Sequence, residues 1–522
     1  MRASRYDLIC CGGSLASYLT AALAAKTGLS VLLLDWYAQP ESDSAPSRAL
    51  LDAIPSLFSF ESSDNVLRCF EKLGVSFDRS GLQKAESVLQ VLLKDQRFVI
   101  SDSFEMTLSE LEREVPCGEE LRSFLSKIYG ARKSLPRFTH DITRLVRLGS
   151  SEAWRVRSFW GRKYRVLTAR KCVPFSSLFA DGDKSIAHRL ACAMLGALTH
   201  SVPVNIGAEQ CLRSLPIFLG GRYWLRSGSE ALKADLARVI RVHGGDIKKG
   251  ISADSLVADR DRLLGVLLTS HDGIVTADHV VVGCAHKRLY STLPPPMRDS
   301  AVMRGLTRIQ PSLWRFSISV GVRKQAIPVG STSLMVRIAD FEAPLSEDNL
   351  ISIQIVPELR SGAGASESGL RESDVTRILL TALVPYRASS LDYRYLRRLA
   401  GRMLRALFEV MPFSDEHVVS LTPDFLKDED AIRKYYSFRG LDWMPEELIH
   451  YYVQGHRGAQ DFWSIAVKSG IPNLYFVGRP IWPSLGTYGE ILSAMEVYED
   501  LRERFFQTGA RGTFTEEAGS VV

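Results

Sequence analysis

The sequence predicts an α/β protein. A Rossmann-like parallel sheet is assembled from separate pieces of the chain, and an α+β domain is interleaved between them. Three observations predict this. An apolar strand, a glycine turn, an apolar helix and a second strand ending in an acid open the chain. A helix followed by four strand-like runs lies near the middle. A buried strand and a long helix close it. At 522 residues the chain exceeds one simple core, so two domains are expected.

The opening unit is the most informative. Tyr6 to Cys11 reads as a strand, and an apolar helical stretch runs to Lys26. A second strand covers Ser30 to Leu34 and ends in Asp35. Between strand and helix stands Gly12-Gly13-Ser14-Leu15-Ala16-Ser17. A dinucleotide-binding loop wants glycine at its first, third and sixth positions. Gly12 keeps the tight turn. Ser14 stands where backbone would approach a pyrophosphate, and Ser17 where helix and strand pack closely. The helix N-terminus keeps its N–H groups and positive dipole end. Asp35 lies where a carboxylate accepts bonds from ribose hydroxyls.

Composition is that of a globular protein, with 46% hydrophobic and 24% charged residues. The net charge of +6 is mild and favours an anionic partner such as a phosphate-bearing cofactor or a lipid surface. No nucleic-acid motif accompanies it, so no nucleic-acid partner is expected. The eight cysteines are scattered without metal spacing, which suits a reducing, cytoplasmic compartment. The apolar run from Leu8 to Ala25 mimics a signal peptide or a membrane span. Gly12-Gly13 interrupts it at the strand–helix turn, so it reads as strand plus helix.

Residues 51 to 130 read as mainly helical, with short strands such as Arg97 to Ile100. Asp141 to Phe175 interleaves basic residues, among them Arg155, Arg157, Arg162 and Lys163, with Trp154, Phe159, Trp160 and Tyr164. Two readings compete for it: a solvated basic face with aromatics turned inward, or a peripheral patch on an anionic bilayer.

The middle block starts at Gly220-Gly221-Arg222-Tyr223-Trp224-Leu225-Arg226-Ser227-Gly228. A helix from Glu230 to His243 ends at Gly244-Gly245, as C-capping glycines end helices. Strands are expected at Asp246 to Lys249, Ser252 to Ala258, Arg262 to Ser270 and Val275 to Cys284. Residues 301 to 464 mix strands at Leu313 to Val322, Leu350 to Val356 and Arg377 to Val384 with a helix from Tyr393 to Met411. Ser361 to Ser373 reads as an exposed insertion. Asn473 to Gly478 is a buried strand, and Gly486-Thr487-Tyr488-Gly489-Glu490 opens a helix to about Phe506. Thr508 to Val522 reads as a disordered tail.

In this order the parts resemble the phytoene desaturase and carotenoid isomerase group of the flavin amine-oxidase-like superfamily, whose GR2-type fold the Rab GDP-dissociation inhibitors share. The resemblance runs from Asp7 to about Arg504. It is carried by the opening unit, Arg222 to Gly228, Ala277-Asp278-His279-Val280-Val281-Val282, and Asn473 to Gly478 with Gly486 to Ala494. It implies a discontinuous FAD-binding domain over 1–90, 220–300 and 465–507, and a substrate domain over 91–219 and 301–464. Gly12, Gly13, Ser14 and Leu15 would meet the pyrophosphate of FAD, and Asp35 the adenosine ribose. Backbone near Ser252 to Leu256, Ser255 among them, would meet the adenine. Gly478, Gly486, Thr487 and Gly489 would cradle the isoalloxazine, near Arg479, Tyr488 and Glu490 as catalytic candidates. Glu490 would polarise or deprotonate there, or else only complement the helix dipole.

The chain departs from the family after Asp35. Trp36-Tyr37-Ala38-Gln39-Pro40-Glu41-Ser42-Asp43 lacks the glycine pair that touches the pyrophosphate from the other side. The implied activity is an FAD-dependent desaturase or isomerase type of oxidoreductase on a long apolar, polyisoprenoid-like substrate. The alternative is a non-catalytic relative with an eroded cofactor site that binds a prenyl lipid or a partner protein. An amine oxidase acting on a polar substrate is a third option. No Ser–His–Asp, zinc or paired-carboxylate arrangement competes, no metal is expected, and His286, His450 and His456 read as structural or exposed.

Overall fold

The structure, a computed structural model, describes residues 5–36, 57–58, 69–75, 82–84, 87–114, 119–132, 175–182, 185–198, 208–219, 223–225, 228–269, 273–340, 343, 345–356, 374–436, 444, 448–453, 465–482 and 485–507. The basic stretch 141–174, Gly220-Gly221, the insertion 361–373, His456 and the tail 508–522 lie outside them.

Local pattern and observed elements agree closely at the start. The strand Arg5–Cys11 leads into the helix Leu15–Lys26 and then the strand Val31–Asp35. Both strands are apolar at nearly every position because helices cover both faces of the sheet they build. The helix is buried nearly all round, under the helices Gly228–Val242 and Gly486–Gln507. That burial explains the Leu8 to Ala25 run as core. Among the described residues no helix is long and apolar enough to cross a membrane.

The seven-stranded sheet runs Asp246–Lys249, Val31–Asp35, Arg5–Cys11, Ile274–Val282, Arg262–Leu268, Ala253–Asp259, with Leu474–Phe476 added against Ile274–Val282. Arg5–Cys11 pairs in parallel with Val31–Asp35 on one side and Ile274–Val282 on the other. Leu474–Phe476 is parallel to Val280–Val282. Asp246–Lys249 is parallel to Val31–Asp35, so five parallel strands, drawn from three distant parts of the chain, end side by side.

The eight-stranded sheet orders Val418–Thr422, Ile309–Arg323, Val375–Pro385, Leu350–Val356, Leu334–Ile338, Leu89–Leu92 and Arg97–Ile100, with Ile449–Val453 also on Ile309–Arg323. Alternate residues of its strands belong to different cores, as the two-residue period of a strand requires. Trp314, Phe316, Ile318 and Val320 pack with Leu399 and Met403 of the helix Tyr393–Val410. Leu334, Val336, Leu350 and Leu383 join the core of the seven-stranded sheet. This second face is therefore turned toward the nucleotide-type domain.

Among its described residues the stretch 51–130 is mainly helical with short strands, as expected, and Arg97–Ile100 is a strand. The strands Leu57–Phe58, Leu82–Lys84 and Leu89–Leu92 precede it, and the helices Phe104–Glu114 and Glu119–Arg132 follow. The first two flank Tyr223–Leu225 in a third, small sheet. Residue 90, an expected domain boundary, lies inside the strand Leu89–Leu92, which pairs in parallel with Leu334–Ile338.

His279 makes the fold acid-sensitive. It sits on Ile274–Val282 against Phe505, with ring centroids 5.2 Å apart, and near Tyr475. Burial, and then the Arg504 cation, pull its pKa down from 6.5 to about 4; Asp278 and Asp500 oppose this and Arg262 adds to it. The unfolded chain therefore binds the extra proton first, and stability falls as pH drops from about 6.5 to about 4. In urea unfolding at pH 7.5 and 4.5, His279→Gln is expected to lose less stability on acidification than the wild type. Equal losses would remove His279 as a cause.

Candidate functional site

The glycine loop is less damaged than its sequence suggests. Gly12 adopts φ +133°, and its N–H donates to the Leu34 carbonyl at 2.9 Å. A Cβ there would stand 2.8 Å from Cys284 Sγ, so only glycine lets the two strand ends close up. Ser14 is the N-cap of Leu15–Lys26. Its Oγ accepts from the Ser17 N–H at 3.3 Å and lies 3.1 Å from Ser17 Oγ. Both serines are buried, and both point inward. A Cβ placed on Gly283 would fall 2.0 Å from Ser17 Oγ. The close helix–strand contact that a sixth-position glycine normally permits is thus permitted by Gly283 on the facing strand. Ser17 is compensated, not merely tolerated.

Leu15 is a core side chain, so only its backbone is available to a ligand. The Gly13 carbonyl accepts from Lys233 Nζ at 3.3 Å. Lys233 was not among the expected site residues. Its signal was present: it interrupts the buried stripe Leu232, Leu236, Ala237 and Ile240 of the helix Gly228–Val242 and is itself buried.

Asp35 ends its strand as expected and is buried. Its Oδ2 accepts from the Tyr18 hydroxyl at 2.7 Å, and its main-chain carbonyl accepts from the Gly250 N–H at 2.8 Å. Chain at Gly250, rather than at Ser255, therefore borders the acid. Ser255 lies on Ala253–Asp259, at the edge of the sheet and four strands from Asp35. The structure does not bring it into this group.

The closing elements form the other corner. Gly478 adopts φ +108°, and its N–H donates to Ser493 Oγ at 2.9 Å. Arg479 Nε donates to Glu490 Oε1 at 2.5 Å, and both side chains are at most 3% exposed. Two catalytic candidates are thus brought together, but as a buried ion pair. Glu490 is neither a lone base nor a simple complement to the helix dipole. Gly486, at φ +54°, starts the helix Gly486–Gln507, with Thr487 part-exposed and Tyr488 buried. Gly489 has a different role from the one expected. A Cβ there would stand 2.6 Å from Trp482 Cβ and 2.8 Å from the Trp482 carbonyl. The close approach it allows is that of Trp482. His286 Nε2–H donates to the Val477 carbonyl at 2.7 Å, a structural use as expected.

His450 is buried, in keeping with the structural reading. From the eight-stranded sheet, Arg315 Nε donates to its Nε2 at 2.9 Å. Burial and the positive charge of Arg479 pull the Arg315 guanidinium down to about 9. It remains a cation at neutral pH. The Arg315–His450 hydrogen bond therefore lies within the field of the Arg479–Glu490 ion pair. Sequence reading missed the Arg315–His450 contact because only the pairing of Ile309–Trp314 with Ile449–Val453 brings these residues together.

No family model matches the chain, and no curated protein sequence matches it. Solved structures do. Cyclohexylamine oxidase from Brevibacterium oxydans IH-35A is 13% identical, with a TM-score of 0.58 over 96% of this chain and 99% of that one. An oxidoreductase from Methanosarcina mazei is 13% identical, with a TM-score of 0.54 over 94% and 99%. A putrescine oxidase variant is 12% identical, with a TM-score of 0.58 over 96% and 99%. The chain shares along nearly its whole length the fold of these oxidoreductases.

Proposed function

We propose that the protein is an FAD-dependent oxidoreductase. One observation carries this reading. Arg5–Cys11, Val31–Asp35, Ile274–Val282 and Leu474–Phe476 are parallel, and at their carboxyl ends stand Gly12, Asp35, Gly283 and Gly478. That rim is where open α/β sheets bind dinucleotides.

The residues fit such a ligand. Ser14 and Ser17 turn inward, so neither obstructs the outer side of the loop. The first N–H groups of Leu15–Lys26 would hold the pyrophosphate. Tyr18 takes one site on the Asp35 carboxylate, which offers about four. Lys233 would add positive charge beside the loop. The N-terminus of Gly486–Gln507 would approach the isoalloxazine. Bound FAD supplies a hydride acceptor. The chain supplies orientation, exclusion of water and the fixed Arg479–Glu490 pair.

The inward face of the eight-stranded sheet would form the substrate wall. Leu313, Leu334, Val336, Leu350 and Leu383 suit a long apolar body such as a polyisoprenoid. The visible spectrum of the purified protein tests the reading. Oxidised-flavin bands that dithionite bleaches are expected. A colourless protein whose added FAD shows no spectral change would defeat it and leave a repurposed fold.

A further inference from the structure

The inward face of the eight-stranded sheet is not uniformly filled. Along Leu350–Val356 the side chains alternate between two cores. Ile351 and Ile353 pack with the helix Tyr393–Val410, and Leu350 packs toward the seven-stranded sheet. Ser352 and Gln354 share the face of Leu350. Ser352 stands opposite Val336 on one side and Thr381 on the other. Ser352 and Thr381 are both part-exposed. Strands flank each of them on both sides, so the exposure comes through the face itself. The inward face is open at its centre.

Gln354 lies two residues beyond Ser352 on that face, between Leu334 and Leu379. It is 4% exposed. Its Nε2 is enclosed and, among the described residues, has no hydrogen-bond partner. A buried amide donor left unmatched costs free energy, and such groups are rare in folded proteins. An enclosed water needs two to four polar partners, and both cross-strand neighbours of Gln354 are leucines. An acceptor atom on a ligand that enters at Ser352 would match the amide. The donor is uncharged, and Leu350–Val356 holds no ionisable residue. The acceptor it suits is therefore neutral, a carbonyl oxygen rather than a carboxylate.

We propose that Gln354 recognises the substrate by donating from Nε2 to a carbonyl oxygen carried on its apolar body. The proposal rests on the oxidoreductase reading only in calling this face the substrate wall.

Two probes test it on the purified full chain: geranylacetone, a ketone with an isoprenoid tail, and its hydrocarbon analogue with =CH2 in place of the carbonyl oxygen. In calorimetric titration, Gln354→Met is expected to weaken geranylacetone about fivefold and to leave the hydrocarbon within about twofold, since only the ketone loses a hydrogen bond. The Met variant should also melt at or above the wild-type midpoint, because an unmatched amide gives way to an apolar chain of similar length. An equal effect on both probes, no binding of either by the wild type, or a Met variant that melts lower or fails to fold overturns the proposal. Neither measurement needs flavin. A flavin-bearing protein without the ketone effect would defeat this proposal and keep the oxidoreductase reading. A colourless protein with the effect would do the reverse.

Discussion

Glu490→Gln is expected to cost about 4 kcal/mol of folding stability, and Arg479→Met clearly less. Glu490 and Arg479 are almost fully buried and bound to each other. Removing one partner of a buried pair leaves the other charge without its compensation in a poorly solvating interior. The two removals differ because of Arg315. Without Glu490, Arg479 is left uncompensated in the field of the Arg315 cation. Without Arg479, that repulsion between cations is removed as well. Combining Arg479→Met with Glu490→Gln should recover much of the loss, because a buried pair replaced by neutral groups is often nearly neutral in stability. Urea unfolding of the four proteins gives the coupling directly. A Glu490→Gln protein as stable as the wild type, or singles of equal cost, would contradict this account.

Gly283→Ala is expected to cost about 3 kcal/mol, the upper end for overpacking a filled core. The new methyl would lie 2.0 Å from Ser17 Oγ. Rotating Ser17 away would break its contact with Ser14 and loosen the cap of Leu15–Lys26. Ser17→Gly alone removes the hydroxyl but places glycine in a helix, at about 1 kcal/mol. The pair Ser17→Gly with Gly283→Ala restores the usual arrangement, with glycine on the helix and a side chain on the strand. It should be more stable than Gly283→Ala by about 2 kcal/mol. Thermal and urea midpoints of the three variants check this. A double variant no better than Gly283→Ala would show that the two positions do not compensate each other.

Much of the fold was legible because its signals are local. The alternation of apolar strand, glycine turn and apolar helix marked Arg5 to Asp35 to within a residue or so. Gly244-Gly245 marked the end of the helix Gly228–Val242, and turn residues separated the strands after it. Arg97–Ile100 was read and its neighbour Leu89–Leu92 was not; that four-residue strand pairs both with Arg97–Ile100 and with Leu334–Ile338, nearly 250 residues away. Short strands have no period long enough to announce themselves.

The candidate site divides in the same way. Glycine, serine and acid positions near Gly12, Asp35 and Gly486 could be named from spacing. Their present partners could not. Gly283 relieving Ser17, Tyr18 on Asp35, Lys233 on the Gly13 carbonyl and Trp482 against Gly489 are contacts that only the folded chain makes.

By itself, the sequence determined the kind of protein: a discontinuous nucleotide-type sheet with a second sheet between its pieces. Hydrophobic period, turn chemistry and helix caps are written within a few residues of where they act. The tertiary structure alone decided whether the opening loop was broken or compensated, and whether Glu490 was a lone acid or half of an ion pair. The reason is physical. Burial, ion pairing and the field of one guanidinium on another depend on distance in space, and these partners are separated by 11 to more than 260 residues in sequence.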